Sequence, residues 1–446
     1  MTRRLRTGAR EDTGPAAQLL IRGGTVIDPA RGVERALDVL IDGGVVRRIA
    51  PSLRPTRGTT VLEARGCVVC PGLIDIHTHL REPGYEEKET IASGTRAAAA
   101  GGVTSLLCMP NTNPPIDNQT AVEFVVLKAR NEGVVNVFPV GAITKRRAGE
   151  ELSEIGELHR AGVVAITDDG DPVMNSKIMR RALEYARMFD LVVMSHCEDV
   201  NLSRGGTMNE GRVSSLLGLR GIPRQAEEVM VIRDLILAEL TGGRLHVTHV
   251  STRDSVEYIR RAKKEGVRVT CDTAPHYFSL TEDAVRGDTA ADMYNTNAKM
   301  NPPLRTGDDV AALVAGIADG TIDCVASDHA PHTREEKSRE FDLAPFGIIG
   351  LETMLPLCVT VLHRRHGLPL RRVVEVLTAA PARAFGLPRG TLAPGLPADI
   401  TVFDPRCEFV VGPFVSRSQN SPFIGWKLFG KVIGTVCNGR IVYQGR

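Results

Sequence analysis

A chain of 446 residues is long enough to bury one large core and a smaller one beside it. Its 55 basic and 53 acidic residues leave a formal charge of +2, which gives no electrostatic reason to expect a nucleic-acid or membrane-surface partner. No run approaches the roughly 18 apolar residues of a membrane helix, and nine scattered cysteines, an odd number, read as reduced thiols of a cytoplasmic protein rather than a disulfide framework.

Residues 1–17 are Arg-rich and lack the apolar stretch of a secretory signal, so they read as a disordered tail. From 18 to 70 short β-branched runs are separated by Gly23-Gly24 and Gly43-Gly44, the texture of hairpins. Cys67-x-x-Cys70 is the one close cysteine pair, and with no second pair nearby it reads as strand residues rather than a zinc or redox site. Residues 391–446 have the same β-rich texture, so the two chain ends are expected to build one small β-sandwich domain together. The middle, 71–390, alternates. Short apolar strands fall near 72–77, 103–109, 134–139, 163–167, 191–195, 244–249, 267–272 and 322–327, with helical patterns between most of them, such as 86–100, 119–132, 175–189, 224–241 and 252–265. Eight strands alternating with helices predict an α/β fold of the (β/α)₈ barrel type, with a doubly wound open sheet as the alternative. No G-x-G-x-x-G follows the first strand, so a dinucleotide site has little support.

A barrel of this kind carries its reactive residues at the C-terminal ends of its strands. The first strand runs into His77-Thr-His79-Leu-Arg81. Residues two apart on a strand point the same way, so two imidazoles there can hold a divalent metal and a guanidinium beside them a carboxylate. Strand 4 ends in Asp168-Asp169, strand 5 in His196-Cys197-Glu198, strand 6 in His246-Val-Thr-His249 and strand 8 in Ser327-Asp328-His329-Ala-Pro-His332. Seven of the eleven histidines sit at these ends, and His276 after strand 7 adds another. One such histidine would be read as a satisfied core residue; five strand ends agreeing point to a metal site. Imidazoles and carboxylates with a single suitable thiol, Cys197, suggest zinc or another borderline divalent ion. Such an ion lowers the pKa of bound water to about 7 and polarises a carbonyl, which makes the chemistry hydrolytic. Asp328 is the natural carboxylate to shuttle the proton. By alternation only one of Asp168 and Asp169 faces the site, and His246, inside its strand, reads as a packing residue.

Taken together, D-I-H-T-H-L-R-E-P-G (75–84), M-P-N-T-N-P (109–114), T-D-D-G (167–170), H-C-E-D (196–199), H-V-S-T (249–252), M-N-P-P-L-R (300–305) and S-D-H-A-P-H (327–332), with Lys337 five residues on, resemble the dihydroorotases of the amidohydrolase superfamily. The resemblance runs from about residue 18 to the C-terminus and is nearest to the bacterial type I branch, which has an aspartate where other branches have a carboxylated lysine. It implies His77 and His79 on one zinc, Asp169 as the strand-4 ligand, bridging where two metals are present, and His196 and His249 on the second. Asp328 would be both a ligand and the catalytic acid/base. The choice of Asp169 over Asp168 rests on its 27-residue distance to His196. Substrate contacts would come from His79, Arg81, Asn113 and His332, with Asn301 and the Phe346-Gly347 backbone at the ring. The implied reaction is the reversible conversion of N-carbamoyl-L-aspartate to (S)-dihydroorotate plus water in pyrimidine biosynthesis. The implied cofactor is one or two zinc ions, and the implied partners are a second copy of the chain and, in some members, aspartate transcarbamoylase. Two alternatives stay open. Allantoinases and hydantoinases share the barrel, but Arg81 and the absence of a strand-4 lysine count against them. A non-catalytic scaffold for aspartate transcarbamoylase would lack several of the ligands kept here. The charged stretch Thr333–Pro345 is expected to be a mobile lid.

Overall fold

The computed structural model describes residues 18–287, 289 and 293–445, so the expectation for the N-terminal tail lies outside the described residues. Eight short strands stand where the apolar runs place them: β1 (Leu73–Thr78), β2 (Val103–Cys108), β3 (Asn136–Pro139), β4 (Ala165–Ile166), β5 (Val192–Ser195), β6 (Arg244–Val247), β7 (Val269–Thr273) and β8 (Cys324–Val325). Neighbours pair in parallel in chain order. Parallel bridges Gly141↔Ile166 and Thr78↔His329 join β3 to β4 and β1 to the end of β8. The ring therefore closes, which sets aside the open sheet, since an open sheet would leave two edges.

Parallel strands need long crossovers and cover on their outer faces. Helices α1 (Ile91–Ala100), α2 (Gln119–Glu132), α3 (Ile155–Ala161), α4 (Ser176–Arg187), α5 (Gln225–Thr241), α6 (Arg253–Lys264), α7 (Gly307–Asp319) and α8 (Leu370–Leu377) provide both. In α4 the buried Met179, Ala182, Leu183 and Ala186 form one apolar stripe, and the Asn175 side chain caps the first turn by accepting from two backbone N–H groups. Helix α1 begins at Ile91 rather than near residue 86, because Thr90 and Ser93 form a reciprocal capping box there. Along the strands, alternate residues separate into two interiors. Ile74, Leu107, Phe138, Val192 and Cys324 fill the barrel, whereas Leu73, Leu106, Val137 and Val193 meet the helices.

Both chain ends contribute to a single eight-stranded sheet, in which residues 400–403 of the C-terminal part pair antiparallel with residues 68–71 of the N-terminal part. Its core joins Ile21, Val39, Ile41 and Val69 to Ile400 and Val402. Cys67 belongs to this core and Cys70 to the larger cluster around the barrel, so the two thiols do not converge. Among the described residues no helix is long and apolar enough to cross a membrane. Between the strands Ile400–Val410 and Lys427–Cys437 the chain leaves the sheet, and this loop reaches the C-terminal end of the barrel.

Candidate metal centre and active site

The ends of β1 and β8 are locked together before any ligand is counted. Asp75, fully buried, accepts the backbone N–H groups of His77 (3.2 Å) and Ser327 (3.0 Å). Burial pushes this carboxyl up to about 6. The His79 N–H donates to the His329 carbonyl at 2.9 Å, so residues 77–79 and 327–329 advance side by side. On the far side Asp272 of β7 accepts the His249 backbone N–H at 2.8 Å and also meets His246 Nε2 at 2.8 Å. Its other ring nitrogen bonds Thr270, which makes His246 a packing residue as its place inside the strand implies.

Four imidazoles and two carboxylates then converge in the buried interior. His77 Nε2 lies 3.2 Å from Asp169 Oδ1, His79 Nε2 is 3.6 Å from Asp169 Oδ2, and His249 Nε2 and His196 Nδ1 are 3.6 and 3.9 Å from Asp169 Oδ1. Asp328 Oδ1 stands 3.2 Å from His79 Nε2 and 3.6 Å from His77 Nε2. Two triads arise, His77–His79–Asp169 and Asp169–His196–His249, with Asp169 common to both. The neighbouring Asp168 turns the other way, and its carboxylate accepts the Thr144 backbone N–H (3.0 Å) and hydroxyl.

The protonation states of the rings follow from their outer partners. His79 Nδ1 faces the Asn111 Oδ1 acceptor at 2.8 Å, and His196 Nε2 faces Glu198 Oε2 at 2.9 Å, so both outer nitrogens carry the proton. The inner nitrogens, His79 Nε2 and His196 Nδ1, are left as bare lone pairs aimed at carboxylate oxygens. His196 Nδ1 and His249 Nε2 are only 2.9 Å apart. His77 Nε2 and Asp169 Oδ1 are buried without a hydrogen-bond partner among the described residues. Lone pairs facing lone pairs in a dry site call for a cation, and this donor set fits a divalent metal. The electrostatics express the same demand for positive charge, which protons on the imidazoles meet where no ion does. Burial raises Asp328 and Asp169, but the surrounding imidazoles outweigh it and hold both well below the usual carboxylate range. Burial lowers His77, yet the two carboxylates lift it to about 10.

Beside this cluster is a cavity of about 350 Å³, whose wall brings together His79, Arg81, Asn301, His332, Phe346 and Gly347, six of the residues for which the resemblance implies substrate contacts. Arg81 sits in left-handed backbone (φ 62°), as do His249 (39°) and Asp328 (47°). Three non-glycine residues in that region at one site are a local store of strain. The chain is thus not extended at Arg81. Its guanidinium reaches the cavity because Nε donates to the Pro331 carbonyl at 3.2 Å. Burial lowers Arg81 to about 10, which leaves it cationic at neutral pH. Asn113 is not brought to the cavity: its side chain is exposed and its N–H is spent on Pro83 O (2.9 Å). The wall residue of that motif is Asn111, two positions earlier. Glu198 is a second residue that sequence reasoning passed over. It accepts from Asn301 Nδ2 (2.9 Å) as well as from His196 and so joins a metal-facing ring to the cavity wall. Its signal was its place two residues after His196.

Known proteins carry the same arrangement of sequence. A family model described as Dihydro-orotase-like matches residues 66–255, and one described as Amidohydrolase family matches 237–443. The dihydroorotase of Pelobacter propionicus is 52% identical over 428 residues, covering 96% of this chain and 99% of that one. That of Endomicrobium trichonymphae is 54% identical over 430 residues, covering 96% and 100%. Among solved structures, an L-hydantoinase (dihydropyrimidinase) of Arthrobacter aurescens superposes with a TM-score of 0.84 at 25% identity over 96% of each chain. A dihydropyrimidinase of Brevibacillus agri gives 0.83 at 26% identity, over 96% of this chain and 95% of that one.

Proposed function

The chain belongs to the dihydroorotase family, and we propose from this premise that it interconverts N-carbamoyl-L-aspartate and (S)-dihydroorotate plus water at a zinc centre, in pyrimidine biosynthesis. The observation that carries the reading is a cationic Arg81 in the wall of the cavity that adjoins the two ligand triads. It suits a substrate with both a carboxylate and a hydrolysable ring amide.

In this reading His77, His79, Asp169, His196, His249 and Asp328 would hold zinc, which when bound would polarise the ring carbonyl and acidify water. Arg81 and His332 grip the substrate carboxylate, with Asn111 in the place expected of Asn113. Asn301 and the Phe346-Gly347 backbone seat the ring. In hydrolysis the water oxygen joins the carbonyl carbon and the C–N bond breaks. Asp328 takes the proton from the water and returns it to the departing ring nitrogen, and in cyclisation it runs the same transfer backwards. Support for Asp328 in this role is that it meets His79 Nε2 at 3.2 Å and itself lines the cavity. Thr333–Pro345 is read as the lid over the site.

The reading extends to the whole chain. Residues 71–390 form the catalytic barrel domain, and residues 18–70 with 391–446 form a small β-sandwich domain, supported by the pairing of 68–71 with 400–403. Homo-oligomer formation is supported by the exposed Val229, Ile232, Ile236 and Leu240 along α5; assembly with aspartate transcarbamoylase is proposed from family membership alone. A cytoplasmic location is supported by nine free thiols, eight of them buried. The test is turnover of dihydroorotate beside neutral hydantoin and allantoin, by the wild type and by Arg81→Gln. The expected result is activity on dihydroorotate alone and loss of it in the variant. Turnover of the neutral rings without dihydroorotate would replace the substrate.

A further inference from the structure

The loop between the strands Ile400–Val410 and Lys427–Cys437 belongs by sequence to the end sheet, yet it bonds to residues that line the active-site cavity. Ser418 donates to the Lys88 carbonyl (2.7 Å), and Asn420, two residues on, is 4% exposed. Its side-chain amide makes three hydrogen bonds. Oδ1 accepts the His332 backbone N–H at 3.1 Å, and Nδ2 donates to the carbonyls of Ala330 and Gly347, both at 3.0 Å. Its own carbonyl accepts the Ile349 N–H at 3.0 Å. Ala330, His332 and Gly347 all line the cavity, and they come from two different segments, the one after Asp328 and the one after Phe346.

One carboxamide thus spans the two segments. An N–H on one side and two carbonyls on the other admit one orientation of the amide, and no other side chain of this size offers that pattern. Gly347 makes the close approach feasible. At φ 147° a Cβ there would lie 2.7 Å from the Ala330 carbonyl and 2.8 Å from the His332 ring. Direct bonds across the same gap are few: His332 Nε2 to the Phe346 carbonyl at 2.8 Å, the Ala330 N–H to the Ile348 carbonyl at 2.9 Å, and the Gly350 N–H to His329 Nδ1 at 3.2 Å.

We propose that Asn420 is a positioning residue, which sets the spacing between His332 and the Phe346-Gly347 backbone and so the fit of the substrate ring. It acts without touching the metal-facing cluster. The substrate named in the test rests on the functional reading above; the positioning role does not. Asn420→Ala removes all three side-chain bonds. Asn420→Asp keeps the shape but turns an acceptor toward two carbonyl oxygens, and it keeps the question answerable where the alanine variant fails to fold. Ser418→Ala is the control for docking of the loop. Each protein is assayed for metal content, kcat and KM with dihydroorotate, and hydrogen exchange at 330–332 and 346–349. Both Asn420 variants are expected to raise KM about tenfold or more, a misplacement effect, with kcat changed less than KM and metal content at the wild-type level. They also exchange faster in those two segments, while Ser418→Ala stays near wild type. An unchanged KM in a folded Asn420 variant overturns the proposal, and so does a loss of kcat and metal together at constant KM. If the wild type itself does not turn over dihydroorotate, the functional reading fails instead. The exchange data then decide alone: unchanged protection of both segments overturns the positioning role.

Discussion

Asp168 and Asp169 are adjacent acids in opposite roles. Asp169 is shared by both imidazole pairs, whereas Asp168 satisfies the Thr144 amide and hydroxyl. Asp169→Ala should therefore abolish metal binding and turnover at little change in fold. Asp168→Ala should keep metal and lose about 1–3 kcal/mol of stability through the donors it strands. Metal analysis beside thermal unfolding separates them, and metal loss confined to the Asp168 variant would reverse the assignment. Glu198 acts one step further out, fixing the His196 ring through Nε2. Glu198→Ala should weaken metal binding about 10–100-fold, measured by competition with a chelator; an unchanged affinity would leave Glu198 a mere neighbour. The residues that converge in the two triads were legible as candidates because each ends a strand whose apolar run can be counted, while alternation alone left Asp168 and Asp169 undecided. Asn111 was not: Asn111 and Asn113 flank one residue in the same motif, and only the turn of the backbone tells which faces the cavity.

At the scale of elements, the segment after His332 is more tightly held than a charged loop would suggest. Residues 334–337 form a helical turn capped by Thr333, and Phe341 is buried. Two lysines reach under it: Lys337 Nζ donates to the Pro345 carbonyl (2.9 Å) and Lys299 Nζ to that of Phe341 (2.6 Å). Burial lowers Lys337 to about 7, with Lys299 adding to the shift, and burial lowers Lys299 to about 8. A lysine depressed in the closed form penalises closure while charged. The penalty is full below the closed-state pKa and is relieved as pH rises from about 7 toward the ordinary value of 10.5. Cleavage of 333–345 by a protease should thus slow between pH 7 and 9, relative to an unstructured peptide, and Lys337→Met should flatten that dependence. Cleavage that accelerates with pH would contradict it. Composition flagged this stretch as a loop; the buried amines beneath it come from tertiary packing that no local pattern encodes.

Over the whole molecule, the alternation of eight apolar runs with helical patterns announced the barrel, although β4 and β8 are only two residues long, shorter than the runs that hold them. The join of the two chain ends was also legible, from their shared β texture. The return of the 411–426 loop to the active site was not, since Asn420 lies 73 to 90 residues from the groups it spans and carries no motif. The stripe Val229, Ile232, Ile236 and Leu240 leaves an apolar face of α5 in solvent. Sedimentation should find a self-associated protein that Ile236→Lys with Leu240→Glu converts to monomer; an unchanged oligomer would move the contact elsewhere. The claim on which the rest depends is that the shared-aspartate cluster is a metal centre driving this reaction. Its most direct test strips the protein with a chelator and titrates zinc back while dihydroorotate hydrolysis is followed. The expected result is an inactive metal-free protein whose activity returns with bound zinc and never returns in Asp169→Ala. Full activity in the stripped protein, or zinc bound without turnover, would contradict the account.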